Sequence, residues 1–409
     1  MSTPPEAARP SSAAPANLVD PAALLDPAGL LDPAGLVAAA RARTGLQDFG
    51  DTSWMAALEA LCATCREGMG LSARAQKAQH RRILQLLENR LRIVETLRRH
   101  PEVLQVPVER PLILTGFPRT GTSALFNLLA ANGAHRPLLL WEGNHPDPLD
   151  EPVAGPDPRM LALAAMLERA RAAAPEFAAI HEARADGPEE CVQLMAHSIA
   201  YVQQGFEPLF EPYRSVFLEH DLAQVYREYV TFLRLLQWQR PGERWLLKTP
   251  AHLWGLDHLR DELPDSVVVC THRDPTKLVA SYCSMLAALM QTDEPLDLPS
   301  FGPRVLDYLA RSMDRALDVR EQGRAPQIVD VSYRAFVEDP LATVASVHEQ
   351  LGLPLDDGLR ETYRRHVEAN PQNRHGRHRY ELGMFGLTEA DVRGRLERYL
   401  DTHGALALA

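Results

Sequence analysis

Residues 113–130, ILTGFPRTGTSALFNLLA, decide how the chain folds. A short apolar run leads into a glycine-rich loop and then into an apolar stretch with helical spacing. Strand, loop and helix in that order let backbone N–H groups at a helix start cradle a phosphate. Gly116 and Gly121 keep the spacing of the P-loop pattern G-x-x-x-x-G-K-[ST], and Ser123 closes it. The lysine is missing: Thr122 stands in its place, and the cation of the loop is Arg119. That lysine reaches the β- and γ-phosphates of a triphosphate. A loop without it suits a 5′-phosphate or a phosphosulfate, held by backbone N–H groups, hydroxyls and one arginine.

Outward from this unit, the pattern repeats. SVVVCTH (266–272) is β-branched and apolar and reads as a central parallel strand. RDPTKLVASYCSMLAALM follows it, with Asp274 as N-cap and Pro275 at the first helical position. RWLLKTP (244–250) and PQIVDVSY (326–333) are two further strand candidates. Helical periodicity covers 73–99, 122–131, 157–204, 222–239 and 301–321. Near the end, Thr388 and Asp391 form a capping-type T-x-x-D. The alternation predicts an α/β fold: a central, mostly parallel sheet flanked by helices in three layers. An N-terminal helical region at 19–105 packs on a core domain at 106–409, which carries a helical insertion at about 157–240. Three six-residue units, LVDPAA, LLDPAG and LLDPAG, predict short turns over 19–36, each opened by Asp-Pro.

Composition excludes several classes. The 409 residues carry a formal net charge of −11, which disfavours nucleic acid as a partner. No apolar run approaches the roughly 18 residues of a membrane helix. Residues 1–18, rich in Pro, Ala and Ser, lack a secretory pattern and predict a disordered leader. Five scattered cysteines in an acidic chain predict reduced thiols and a cytoplasmic protein. Cys62 and Cys65 form a C-x-x-C inside a helical pattern, with no second pair to complete a zinc set.

Three more elements point to an anionic ligand. Arg273 stands at a strand end, and Ser281 lies two turns into the following helix, facing back toward that end. Lys248 ends the strand in LLKTP. NRHGRHRY (373–380) gathers Arg374, His375, Arg377, His378 and Arg379 in an otherwise acidic protein.

Taken in order, these pieces resemble the PAPS-dependent sulfotransferases, over roughly residues 35–395 and most specifically at 113–131 and 245–283. PAPS is 3′-phosphoadenosine 5′-phosphosulfate. It has no γ-phosphate and needs no metal, so the resemblance accounts for the absent lysine. It implies that Pro118, Arg119, Thr120, Gly121, Thr122 and Ser123 hold the 5′-phosphosulfate, with Arg119 at the bridging oxygen. It further implies that Arg273 and Ser281 hold the 3′-phosphate, that Tyr333 lies near the adenine, and that Arg377, His378 and Arg379 close over the donor. Lys248 would stand near the transferred group. The histidine that serves as base two residues after this lysine in cytosolic members is Pro250 here. The resemblance to tyrosylprotein sulfotransferases, whose base is a glutamate downstream of the 5′ loop, implies Glu142, with Glu189 and His252 as alternatives. The acceptor expected is a small, apolar, hydroxylated compound, lodged among Phe177, Tyr201, Phe206, Phe210, Tyr213, Phe217, Met160, Met166 and Met195. Two other readings stay open: a small-molecule kinase using Asp330 of QIVDV as a Walker-B carboxylate, and a non-catalytic nucleotide-binding protein. A homo-oligomer is compatible with the sequence and not specified by it.

Overall fold

Five parallel strands form one sheet in the computed structural model, which describes residues 29–149, 151, 153–173, 183–203, 206–290, 292–370 and 381–408. They are β1 (Leu112–Gly116), β2 (His135–Pro137), β3 (Arg244–Lys248), β4 (Val267–His272) and β5 (Gln327–Ser332), in the order β2-β3-β1-β4-β5. β1 is central, paired with β3 in the register Ile113–Leu247 and with β4 in the register Ile113–Val268. Every residue of β1 and β4 is buried. Both faces of these strands are covered, which is why they read as continuous apolar runs rather than alternating ones.

Alternate side chains feed two cores. Leu112, Leu114, Val267 and Val269 pack with Leu125 and Leu129 of the helix Thr122–Ala130 and with Val344 and Val347 of the helix Pro340–Gln350. Ile113, Leu247 and Val268 face the larger core, which includes the helices Leu222–Gln239, Pro275–Leu289 and Leu298–Glu321. The N-terminal helices Pro33–Thr44, Met55–Ala63 and Ala73–Arg99 join this second core through Leu36, Leu61, Leu87 and Leu91.

The chain runs from β1 toward β2 and β3 on one side, then returns past β1 to build β4 and β5 on the other. The carboxyl ends of β1 and β4 therefore flank the point where strand order reverses, and open α/β sheets bind their ligands there.

Differences from the sequence expectations are local. Asp32-Pro33 opens a 12-residue helix rather than a turn, with Asp32 Oδ2 accepting from Gly35 N (2.7 Å). The earlier two units of that echo, and the leader at 1–18, lie outside the described residues. The 157–204 stretch is helical at Pro158–Ala173, but residues 183–203 hold only short turns such as Val192–Met195. The apolar run before Glu142 reads as a strand in sequence, but β2 is only His135–Pro137, and Tyr333 begins the helix Tyr333–Glu338 instead of ending β5. Cys62 and Cys65 are fully buried and unbridged, and burial pushes the Cys62 thiol up to about 12. No helix among the described residues is long and apolar enough to cross a membrane.

Candidate active site

The loop after β1 is built around unusual backbone. Gly116 has φ +130, and a Cβ there would stand 2.5 Å from the Thr271 carbonyl of β4. Gly121, the N-cap of Thr122–Ala130, has φ +79, and its missing Cβ would strike the Tyr333 ring at 2.8 Å. Arg119 has φ +68, a conformation that costs a non-glycine residue roughly 1–3 kcal/mol and that recurs where a ligand is clamped. Thr120 secures the loop from beneath: its hydroxyl donates to Phe117 O (2.6 Å) and hydrogen-bonds Thr271 Oγ1 (2.6 Å).

Residues 154 and 162 positions away converge on this loop. Arg119 donates from Nε to Ser281 Oγ (3.1 Å), and Arg273 donates from Nη1 to the Arg119 carbonyl (2.7 Å). The Arg273 guanidinium lies 4.2 Å over the Tyr333 ring. Arg119, Gly121, Arg273, Ser281 and Tyr333 are thus brought together, with Ser281 bonded to Arg119 rather than to Arg273. Arg377, His378 and Arg379 lie outside the described residues.

A second cluster joins from β3. Lys248, 3% exposed, donates from Nζ to Ser123 Oγ (3.1 Å) and pairs with Glu190 Oε1 at 2.7 Å. Thr249 Oγ1 donates to the other Glu190 oxygen (3.2 Å). Two backbone bonds hold the acidic segment in place: Glu189 N to Leu138 O (2.8 Å) and Cys191 N to Lys248 O (2.9 Å). Thr249 also caps the turn Pro250–Trp254, accepting from Ala251 N (3.3 Å), so K-T-P ends the strand and starts the turn that walls the cavity.

Glu142 and His252 stand elsewhere. Glu142 is 1% exposed, and its carboxylate accepts from Arg136 (3.0 Å), from Arg240 (2.8 Å) and from Leu139 N (3.1 Å). These bonds tie the end of β2 to the end of Leu222–Gln239, and Glu142 does not line the cavity described below. His252 is fully buried, and burial lowers its imidazole to about 3. Its Nδ1 meets the Tyr226 hydroxyl at 3.0 Å. Pro250, Ala251, Leu253 and Trp254 line the cavity, and His252 does not. The carboxylate that the geometry sets beside Lys248 is Glu190, one residue past the Glu189 singled out in sequence.

Both clusters open on a cavity of about 520 Å³. Arg119, Thr122, Ser123, Glu189, Glu190 and Thr249 supply the polar groups at its loop end. Its apolar wall includes Leu71, Phe206, Trp254, Met285, Leu289 and Leu309. Of the aromatic and methionine residues named from sequence, Phe206 lines it. Tyr201, Phe210, Tyr213, Phe217 and Met195 are core, Met160 and Met166 lie on the helix Pro158–Ala173, and Phe177 is outside the described residues. The wall draws instead on Ala73–Arg99, Pro275–Leu289 and Leu298–Glu321, together with Leu71, Phe206 and Trp254.

Beneath Arg273, His272 Nε2 meets Asp330 Oδ1 at 2.8 Å, and Arg320 donates to both Asp330 oxygens (2.9 and 2.6 Å). Cys270 joins them to form the one metal-capable group among the described residues. Asp330, the carboxylate considered for a Walker-B role, has its oxygens taken by Arg320 and His272.

The profile of the Sulfotransferase family matches residues 111–357. No curated protein matches the chain. Among solved structures, sulfotransferase STF9 from Mycobacterium avium superposes with a TM-score of 0.79 at 28% identity, covering 90% of this chain and 96% of that one. Sulfotransferase STF1 from Mycobacterium tuberculosis H37Rv superposes with a TM-score of 0.75 at 30% identity, covering 88% and 97%.

Proposed function

Since this chain belongs to the sulfotransferase family, a family of transferase enzymes, we propose that it moves a sulfuryl group from PAPS to an acceptor hydroxyl. The observation that carries the reading is Lys248, whose ammonium bonds both the phosphate loop, at Ser123, and the Glu190 carboxylate at the cavity.

The donor fits the chemistry of the residues. The helix start at Thr122 and the Ser123 hydroxyl bind the 5′-phosphate, and Arg119 and Lys248 neutralise the charge on the oxygen between phosphorus and sulfur. Arg273, with its guanidinium over Tyr333, receives the 3′-phosphate, and Ser281 adds a hydroxyl. No γ-phosphate needs neutralising, so the loop works without its lysine.

In the reaction, Glu190 takes the proton of the acceptor hydroxyl as that oxygen forms its bond to sulfur. The bond from sulfur to the bridging oxygen breaks, and its electron pair stays on the phosphate as 3′-phosphoadenosine 5′-phosphate leaves. A phenol, with pKa about 10, gives up its proton more readily than an alkanol, so phenols are the better first acceptors. The apolar wall excludes water, which strengthens each charged contact and protects the donor from hydrolysis.

The experiment is transfer of label from [35S]PAPS to a panel of phenols, without metal, by the wild-type protein and by Glu190→Gln. Label in the phenol, cut about 10²- to 10⁴-fold in Glu190→Gln, supports the reading. Transfer that is unchanged in Glu190→Gln removes Glu190 as base.

A further inference from the structure

The acceptor cavity carries a second set of polar groups that makes no hydrogen bond to Glu190, Lys248 or Ser123. Gln79 comes from the helix Ala73–Arg99, Gln203 from the segment before Phe206, and Tyr308 from the helix Leu298–Glu321. Gln203 is 4% exposed and Gln79 is 8% exposed. The Tyr308 hydroxyl donates to Gln203 Oε1, which fixes the amide with its NH₂ as the remaining group. Gln203 Nε2 and Gln79 Oε1 are both buried and have no hydrogen-bond partner among the described residues. The Tyr201 hydroxyl lies near the Gln203 amide and gives its own proton to Ala251 O (3.0 Å).

One unpaired donor and one unpaired acceptor in an apolar wall are costly unless something else satisfies them. Both residues line the cavity, and the terminal torsion of glutamine is broad, so rotation of either side chain presents its amide to a ligand. The partner they fit is neutral. The charged residues lining the cavity are Arg119, Glu189 and Glu190, all in the set next to the phosphate loop, so a charged group at the glutamines would find no counter-charge.

We propose that the acceptor is an apolar molecule with two polar groups: the hydroxyl that receives the sulfuryl group, and a second, neutral group that both donates and accepts a hydrogen bond, of the hydroxyl or carboxamide kind. Gln79 accepts from this second group and Gln203 donates to it. The inference rests on the reading of this cavity as the acceptor site. It makes Gln79 and Gln203 specificity residues, and a compound lacking the second group leaves them unpaired.

The test measures binding to the full-length protein saturated with 3′-phosphoadenosine 5′-phosphate. The probes are matched series of 1-alkanols, α,ω-alkanediols and ω-hydroxyalkanamides with chains of six to fourteen carbons. Over one window of chain length, the diol or the hydroxyamide binds about tenfold or more tightly than the alkanol of equal length. Whichever wins identifies the second group. Gln79→Met and Gln203→Met, tested separately, keep the volume and remove the amide. Each brings the preferred probe down to the level of the alkanol, while alkanol affinity stays within about twofold and reports that the variant is folded. Equal affinity at every length overturns the inference, as does no binding of any series, or a preference that survives both substitutions. The donor reading fails separately, by a lack of bisphosphate binding.

Discussion

Glu190 and Lys248 stand 2.7 Å apart, carboxylate against ammonium, at the junction of the phosphate loop and the cavity. On the proposed mechanism, this one contact orders the base and ties it to a cation for the leaving group. Lys248→Met should therefore lower kcat about 10²- to 10³-fold, as removal of an oxyanion donor does. Because the two residues act as a unit, the double variant with Glu190→Gln should lose much less than the product of the single losses. Initial rates under saturating PAPS check this, and multiplicative losses would show that the two act independently.

Glu142 gives the contrasting prediction. Its carboxylate is enclosed by Arg136 and Arg240, so Glu142→Gln strands a buried guanidinium. Stability should fall by about 3–5 kcal/mol, the usual cost of breaking a buried pair. The pH dependence of kcat in the fraction that remains folded should not move. Denaturant melts and a pH–rate profile separate the two effects. A large kcat loss with an unchanged melt would return Glu142 to the role of base.

Tyr399 lies beyond the matched region and yet touches both ends of the proposed donor site. Its ring packs edge-on to Phe117 of the loop (5.1 Å) and stacks with His272 (5.8 Å), and its hydroxyl donates to Arg273 O at 3.4 Å. Tyr399→Leu should raise the KM for PAPS and leave the KM for the acceptor close to wild type. Tyr399→Phe, which keeps the ring, should stay within about tenfold, because a neutral hydrogen bond contributes about 0.5–1.5 kcal/mol. Equal changes in both KM values would mean that the ring merely supports the fold.

The His272–Asp330 pair sets a pH dependence of stability. Burial alone would push the imidazole down, but the neighbouring Cys270 sulfur and the Asp330 carboxylate outweigh it and hold His272 up at about 9. Asp330 is held well below the usual carboxylate range: burial opposes this, and the hydrogen bonds from Arg320 and His272 prevail. A raised folded pKa contributes stability in full below the unfolded histidine value near 6.5, and that contribution is lost as pH rises through about 9. The depressed Asp330 contributes above about pH 4 and loses its share as pH falls further. The urea midpoint should therefore drop between about pH 6.5 and 9, by a stability on the order of 1–3 kcal/mol. In Asp330→Asn that drop should flatten.

Much of this site is legible in sequence because its signals are local. Gly116, Gly121 and Arg119 announce a glycine-rich loop between strand and helix, Asp274-Pro275 announces a helix start, and the periodicity of Leu222–Gln239 and Ala73–Arg99 marks both helices. What escaped depends on distant partners. β2 is three residues, His135–Pro137, at a sheet edge, with a proline and no β-branched side chain to mark it. Glu142 was drawn away by Arg240, 98 residues later, and nothing near it in sequence says so. Glu189 and Glu190 are adjacent carboxylates in a stretch that reads as helix in sequence and folds as short pieces. Which one faces Lys248 depends on backbone bonds to Leu138 and Lys248 that only the folded chain makes. The cavity wall was misplaced for the same reason. Periodicity tells which face of a helix is apolar, and not whether that face meets another helix or a ligand.

The most direct test of the central claim is calorimetric titration with 3′-phosphoadenosine 5′-phosphate in the absence of Mg²⁺, set beside ATP with Mg²⁺. The account predicts micromolar binding of the bisphosphate, abolished or weakened at least tenfold in Arg273→Ala, and much weaker binding of ATP. Tight ATP binding with no response to the bisphosphate would contradict it, and would mean that a loop without its lysine serves a triphosphate after all.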